Sequence, residues 1–142
     1  MTDGIHQRPE ISLDLAQSLL HGVRTAAAEQ ELAVAAAVVD PGGHVIASMR
    51  MDGAPLGAFE LAVNKAYTAA MWQMPSGDLH DSTQPGGDDW GLTSTAGGRI
   101  VVYKGGVPVF AAGALAGAVG VSGGTGDQDL ACAQAAVDAA GL

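Results

Sequence analysis

The stretch from Gly97 to Asp129, GGRIVVYKGGVPVFAAGALAGAVGVSGGTGDQD, decides the fold. It holds three short apolar runs, Arg99–Lys104, Val107–Ala112 and Ala118–Ser122, joined by Gly105-Gly106 and by the glycine-bounded piece 113–117. A Gly-Gly connection supplies the positive φ angles of a tight hairpin, so the runs predict a three-stranded antiparallel meander. After the third run, Thr125 and Gln128 stand three apart. The threonine oxygen can accept from a first-turn amide while the glutamine reaches back, which predicts the start of the last helix. The glycines before it match neither G-x-G-x-x-G nor the P-loop, and Asp127 and Asp129 would repel a phosphate there.

Working outward, residues 1–10 predict a flexible lead before a domain spanning 11–142. Ser12 is a suitable N-cap, and Leu13, Ala16, Leu19, Leu20, Val23, Ala26 and Ala27 follow helical spacing to about Gln30. His21 falls beside that stripe. Leu32–Val39 is nearly continuous in apolar residues and predicts a strand covered on both faces. Asp40-Pro41-Gly42-Gly43 is a turn, and His44–Met49 returns as the partner strand. A second helix follows, with Phe59, Ala62, Val63, Ala66, Tyr67 and Ala70 on its apolar stripe and Glu60, Asn64, Lys65 and Thr68 off it. Residues 73–98, rich in Gly, Ser and Thr and carrying Pro75 and Pro85, predict a binding loop or lid with a brief helical turn around 76–82. The order predicts an α/β fold of the α+β type. Its five-stranded antiparallel sheet is flanked by helices, with Pro108 at a strand start or sheet edge.

Composition narrows the function. The 142 residues suffice for one domain with a real core. A formal net charge of −9, with only six Lys and Arg, disfavours nucleic acid and anionic membranes as partners. Cys132 is the only cysteine, which rules out an intrachain disulfide and a cysteine-rich zinc site. Its spacing suits a small buried hydrophobe better than a nucleophile. The first ten residues lack the apolar core of a signal peptide, and no run approaches the roughly 20 apolar residues of a membrane helix. These features predict a cytoplasmic protein.

Two segments carry candidate chemistry. Arg50 lies close in sequence to the start of the second helix, where a guanidinium and free amides can meet an anionic group; pairing with Asp52 or Glu60 is the alternative. In the long loop, His80 stands beside Asp78 and Asp81, where it can titrate near neutral pH or ligate a metal. Solvent exposure is its alternative. Trp90 is the loop's other distinctive residue.

Taken together, Val38-Val39-Asp40-Pro41-Gly42-Gly43, Arg50-Met51-Asp52-Gly53-Ala54, Asn64-Lys65-Ala66-Tyr67-Thr68-Ala69, Gly97-Gly98-Arg99-Ile100 and the run from Gly117 to Gly124 resemble the GlcG/HbpS-like family (DUF336), also called the haem-degrading domain. That family includes bacterial haem-binding proteins and the C-terminal domain of PduO-type cobalamin adenosyltransferases. The resemblance covers residues 12–142 and implies a profilin-like, GlcG-like domain, commonly a homo-oligomer. It also implies a cleft for haem or another flat cofactor near the Arg-Met-Asp-Gly segment and the long loop. The motif positions it carries onto this chain are Arg50, Met51, Asp52, Gly53, Lys65, Gly123 and Gly124.

A porphyrin needs an apolar slot, cations for its propionates and an axial donor. Arg50 and Lys65 can supply the cations, and His80, Tyr103, Met51 or Met74 the donor, although aromatic content is only 4%. Two functions follow, beside a third reading as a purely structural or interaction domain whose small-residue helix faces, notably Ala131, Ala135, Ala136 and Ala139, pack on another subunit. One is a small-molecule binding protein that holds haem or a corrinoid for storage, sensing or delivery, with His80 as the iron ligand. The other is a cofactor-independent isomerase, lyase or hydrolase, in which Arg50 anchors a carboxylate and Lys65, Asp52 or His80 moves a proton. Both need Arg50, Lys65 and the long loop around one hollow.

Overall fold

The computed structural model describes residues 3–142. Its elements in chain order are α1 (Leu13–Glu29), β1 (Ala35–Val39), β2 (Val45–Arg50), α2 (Ala58–Trp72), β3 (Gly106–Ala111), β4 (Ala114–Ser122) and α3 (Gly126–Ala139). Between α2 and β3 the long loop forms short 3-10 turns, the first two over Ser76–Leu79 and Asp81–Thr83. The four strands are antiparallel in the order β2-β1-β4-β3. Helices α1 and α3 pack together against one face, and α2 covers the other.

Local chemistry explains the ends of these elements. Ser12 Oγ accepts from the Leu15 amide at 3.1 Å and caps α1. Thr125 Oγ1 accepts from Gln128 N, and Gln128 Oε1 accepts from Thr125 N at 2.9 Å, which completes the capping box of α3. In the first hairpin, Asp40 Oδ1 accepts from the Gly42 and His44 amides. Burial acts to raise the Asp40 pKa, but these two amides and the His44 ring outweigh it, so the carboxyl lies below its ordinary 3.8. Ala112 and Gly113, both at positive φ, turn β3 directly into β4.

The sheet has four strands rather than the expected five, because 99–104 makes no ladder. Its backbone is held by the second helix instead. The Val101 amide donates to Thr68 Oγ1 at 2.9 Å, and Arg99 lies 3.6 Å above the Tyr67 ring centroid. Ile100 and Val102 pack on Leu79 with Tyr67, Met74 and Leu92 around them. The apolar run that predicts a strand therefore serves an extended strap between α2 and the loop. Gly105-Gly106 is not a hairpin turn; the Gly105 carbonyl accepts from Val121 N and the chain enters β3 at once. Pro108 lies in that edge strand, as its missing amide requires.

Helix α2 sits very close to the sheet. A Cβ built on Gly120 would come within 2.0 Å of the Ala62 carbonyl oxygen, and one on Gly106 within 2.3 Å of the Lys65 carbonyl oxygen. Ala58, Ala62, Ala66, Ala69 and Ala70 line the helix side of this contact. Its buried arc is wider than the predicted stripe and includes Lys65 and Thr68, whereas Phe59 is partly exposed. Overfilling such a contact costs about 1–3 kcal/mol or more. Gly120→Ala is expected to lower the urea-unfolding free energy by at least that amount, whereas Gly113→Asn in the exposed hairpin turn should cost well under 1 kcal/mol.

Candidate functional site

Four pieces of chain meet where the C-terminal end of β4 runs into α3. Leu61 and Lys65 come from α2, Gly77, His80 and Asp81 from the loop, and Val102, Tyr103 and Lys104 from the strap. Ser122, Gly124, Gly126 and Asp129 come from the β4–α3 turn. Together these residues enclose an open cavity of about 630 Å³. That is within the usual range of about 300–1,000 Å³ for small-molecule sites.

Its floor is an ion pair. Lys65 Nζ donates to Asp129 Oδ2 and to the Val121 carbonyl, each at 3.0 Å, and both side chains are only 3% exposed. Asp129 Oδ1 accepts from the Gly124 amide at 2.8 Å. The carboxylate stands in the first turn of α3, where the amide ends of the helix favour negative charge. One turn further on, Cys132 is buried. Burial first, and the Asp129 charge second, raise its pKa and keep the thiol protonated.

The mouth is more exposed. His80 Nδ1 lies 3.1 Å from Asp81 Oδ1, with the imidazole about half exposed. Lys104 Nζ donates to Asp127 Oδ1 at 2.7 Å, and that carboxylate raises the ammonium pKa, so Lys104 is a fixed cation at the rim. Ser76 fastens the loop to the strap. Its buried hydroxyl donates to the Tyr103 carbonyl at 2.6 Å and accepts from the Gly106 amide at 2.9 Å.

The expected common hollow is only partly assembled. Lys65, His80 and Gly124 share this cavity, but Arg50, Met51 and Asp52 line a separate depression with Arg24 and Met49. The two share no residue. The reason is topological: Arg50 ends β2, the edge strand farthest from β3, while the loop is fastened to the start of β3 through Ser76 and the strap to α2 through Thr68. Met51 Sδ instead accepts from the Val34 amide, and Gly53 turns the chain at φ 82°. Gly123 lets the backbone approach Ala33, since a Cβ there would lie 2.7 Å from that residue's carbonyl oxygen. Trp90 is 67% exposed and outside the cavity. A proton-transfer site joining Arg50 and Asp52 to Lys65 and His80 is therefore not formed. Among the described residues, no three His, Cys, Asp or Glu side chains gather to hold a bare metal ion.

The roles of Asp129 and Lys104 escaped the sequence. Asp129 reads as a helix-start residue, and only its burial reveals that it answers Lys65. Asp81 had a signal in its adjacency to His80; Lys104 had none.

An α+β domain with an open cavity between helix, strap and loop defines the class. Within it, the chain belongs to the family described as haem degrading protein HbpS-like, whose model matches residues 11–138. It is 40% identical over 128 residues to a 15.0 kDa protein from the dhaT-dhaS intergenic region of Citrobacter freundii, covering 90% of each chain. It is 34% identical over 138 residues to the corrinoid adenosyltransferase PduO of Salmonella typhimurium, covering 94% of this chain but only 41% of that protein. Among solved structures, ORFY of Klebsiella pneumoniae superposes with a TM-score of 0.96 at 35% identity, covering 100% of this chain and 98% of that one. A PduOC:heme complex superposes at 0.88 with 33% identity, covering 92% of this chain and 94% of that one. Among the described residues, no helix is long and apolar enough to cross a membrane.

Removing the Ser76 hydroxyl leaves the buried Gly106 amide without its acceptor, at a cost of about 1–3 kcal/mol. Ser76→Ala is expected to destabilise by that amount and to speed amide exchange over 76–83 while leaving that of α1 unchanged.

Proposed function

We propose that this chain binds haem in the cavity between α2, the strap and the loop. The observation that carries the reading is the His80–Asp81 pair at the mouth. A carboxylate 3.1 Å from Nδ1 holds the imidazole in the tautomer that leaves Nε2 open, the arrangement used by metal-ligating histidines. Leu61 and Val102 offer apolar contact, Tyr103 an exposed ring, and Lys104 the cation that would face a propionate. Haem when bound would supply the iron. The protein's part is to hold His80, exclude water from the Leu61–Val102 side and fix the orientation by charge at one rim.

The PduOC:heme complex of a relative supports the same ligand class. Storage, sensing or delivery of haem fits a half-open site with an exposed donor, and assembly into a homo-oligomer belongs to the same proposal. A corrinoid is the runner-up ligand, supported by the partial match to PduO.

Hemin titrated into the purified protein is expected to give a saturable Soret band. His80→Ala should shift that band and weaken binding by about tenfold or more, and Asp81→Asn should weaken it less. A titration without saturation, or a spectrum and affinity unchanged in His80→Ala, would overturn the proposal. Hydroxocobalamin titrated in parallel separates the two ligands: tighter, saturable binding of it would transfer the site to a corrinoid.

A further inference from the structure

The second depression holds an unusual charge arrangement. Arg24 from α1 and Arg50 from the end of β2 line one hollow of about 340 Å³ with Met49, Met51 and Asp52. This happens in a chain of formal net charge −9 with only six Lys and Arg. Of the other cations, Lys65 is paired with Asp129, Lys104 with Asp127 and Arg99 lies on the Tyr67 ring, while Arg8 lines a different hollow. Among the described residues, neither Arg24 nor Arg50 has a carboxylate oxygen within 4.0 Å or a side-chain hydrogen bond. Even Asp52, which shares the hollow, is not paired with them. Two arginines against one carboxylate, Asp52, leave this hollow a local positive spot in an otherwise negative field.

We infer that the Arg24–Arg50 hollow is a second ligand site, which takes the carboxylate of a small organic acid. Three features select that chemistry. Each guanidinium presents a planar fork of donors that matches a carboxylate edge-on. The methionine walls are apolar and adaptable, so they accept a short carbon chain rather than a bare hydrated ion. Met51 is held in place from behind by its contact with the Val34 amide. Asp52 at the same wall repels excess negative charge, which favours a single carboxylate over a phosphate dianion. Because this hollow shares no residue with the His80 cavity, the inference stands independently of the haem reading.

The test uses the full chain at low ionic strength, with butyrate, acetate and inorganic phosphate as probes, followed by calorimetry and by amide chemical shifts. Butyrate is expected to bind saturably with a dissociation constant in the millimolar range, tighter than acetate or phosphate, with shifts centred on residues 49–53 and around Arg24. Arg24→Gln and Arg50→Gln should each weaken butyrate about tenfold, while Arg8→Gln, in a different hollow, leaves it unchanged. Both arginines are exposed, so the variants are expected to keep the wild-type circular dichroism. Arg24→Gln should leave the hemin titration unaltered. The inference is overturned if butyrate does not saturate, if neither arginine variant weakens it, or if phosphate binds as tightly as butyrate.

Discussion

The buried pair of Lys65 and Asp129 is the constraint on which the rest of the structure depends. Lysine comes from the helix on one face of the sheet and aspartate from the first turn of a helix on the other, and they meet past the end of β4. Burying two charges is expensive, so such a pair persists only where its remaining hydrogen-bonding capacity is also met. Here the Val121 carbonyl takes a second lysine proton and the Gly124 amide serves the second carboxylate oxygen. The start of α3 adds favourable backbone dipoles. The pair thereby ties together both helical layers and the β4–α3 turn, and it forms the floor of the larger cavity.

That geometry needs a thin interface. A four-carbon side chain can reach around the sheet end only because α2 lies almost on the strands, and this closeness follows from glycine on the sheet and alanine on the helix. The abundance of small residues is thus a positional device as well as a packing one. Large side chains at Gly106 or Gly120 would lift Lys65 away from its partner. The outer wall of the cavity is built differently, from a strap and loop held by the hydroxyls of Thr68 and Ser76.

Much of the fold was legible because local chemistry agreed with the final structure. The Thr125–Gln128 capping box, the Asp40–Gly43 turn, the fully apolar β1 and the edge position of Pro108 each state their role in a few residues. The 99–104 segment misled because a short apolar run reports which side chains are buried, not whether the backbone bonds to a strand or to Thr68. Helical spacing put Lys65 off the apolar stripe, since a charge is assumed to seek water unless its partner is known. Asp129 lies 64 positions away, and no local pattern links the two. The separation of Arg50 from His80 was hidden for a related reason: strand order, which local sequence does not state, places them at different ends of the sheet.

The central claim is that Lys65 and Asp129 act as one interlayer tie, and a double-mutant cycle tests it most directly. Urea unfolding of Lys65→Met, Asp129→Leu and the double variant measures their interaction energy, with far-ultraviolet circular dichroism confirming that each folds. A coupling above about 1 kcal/mol, with the double variant more stable than the sum of the single losses implies, is the predicted result. Additivity within about 0.5 kcal/mol would contradict it and leave the two charges as independent neighbours.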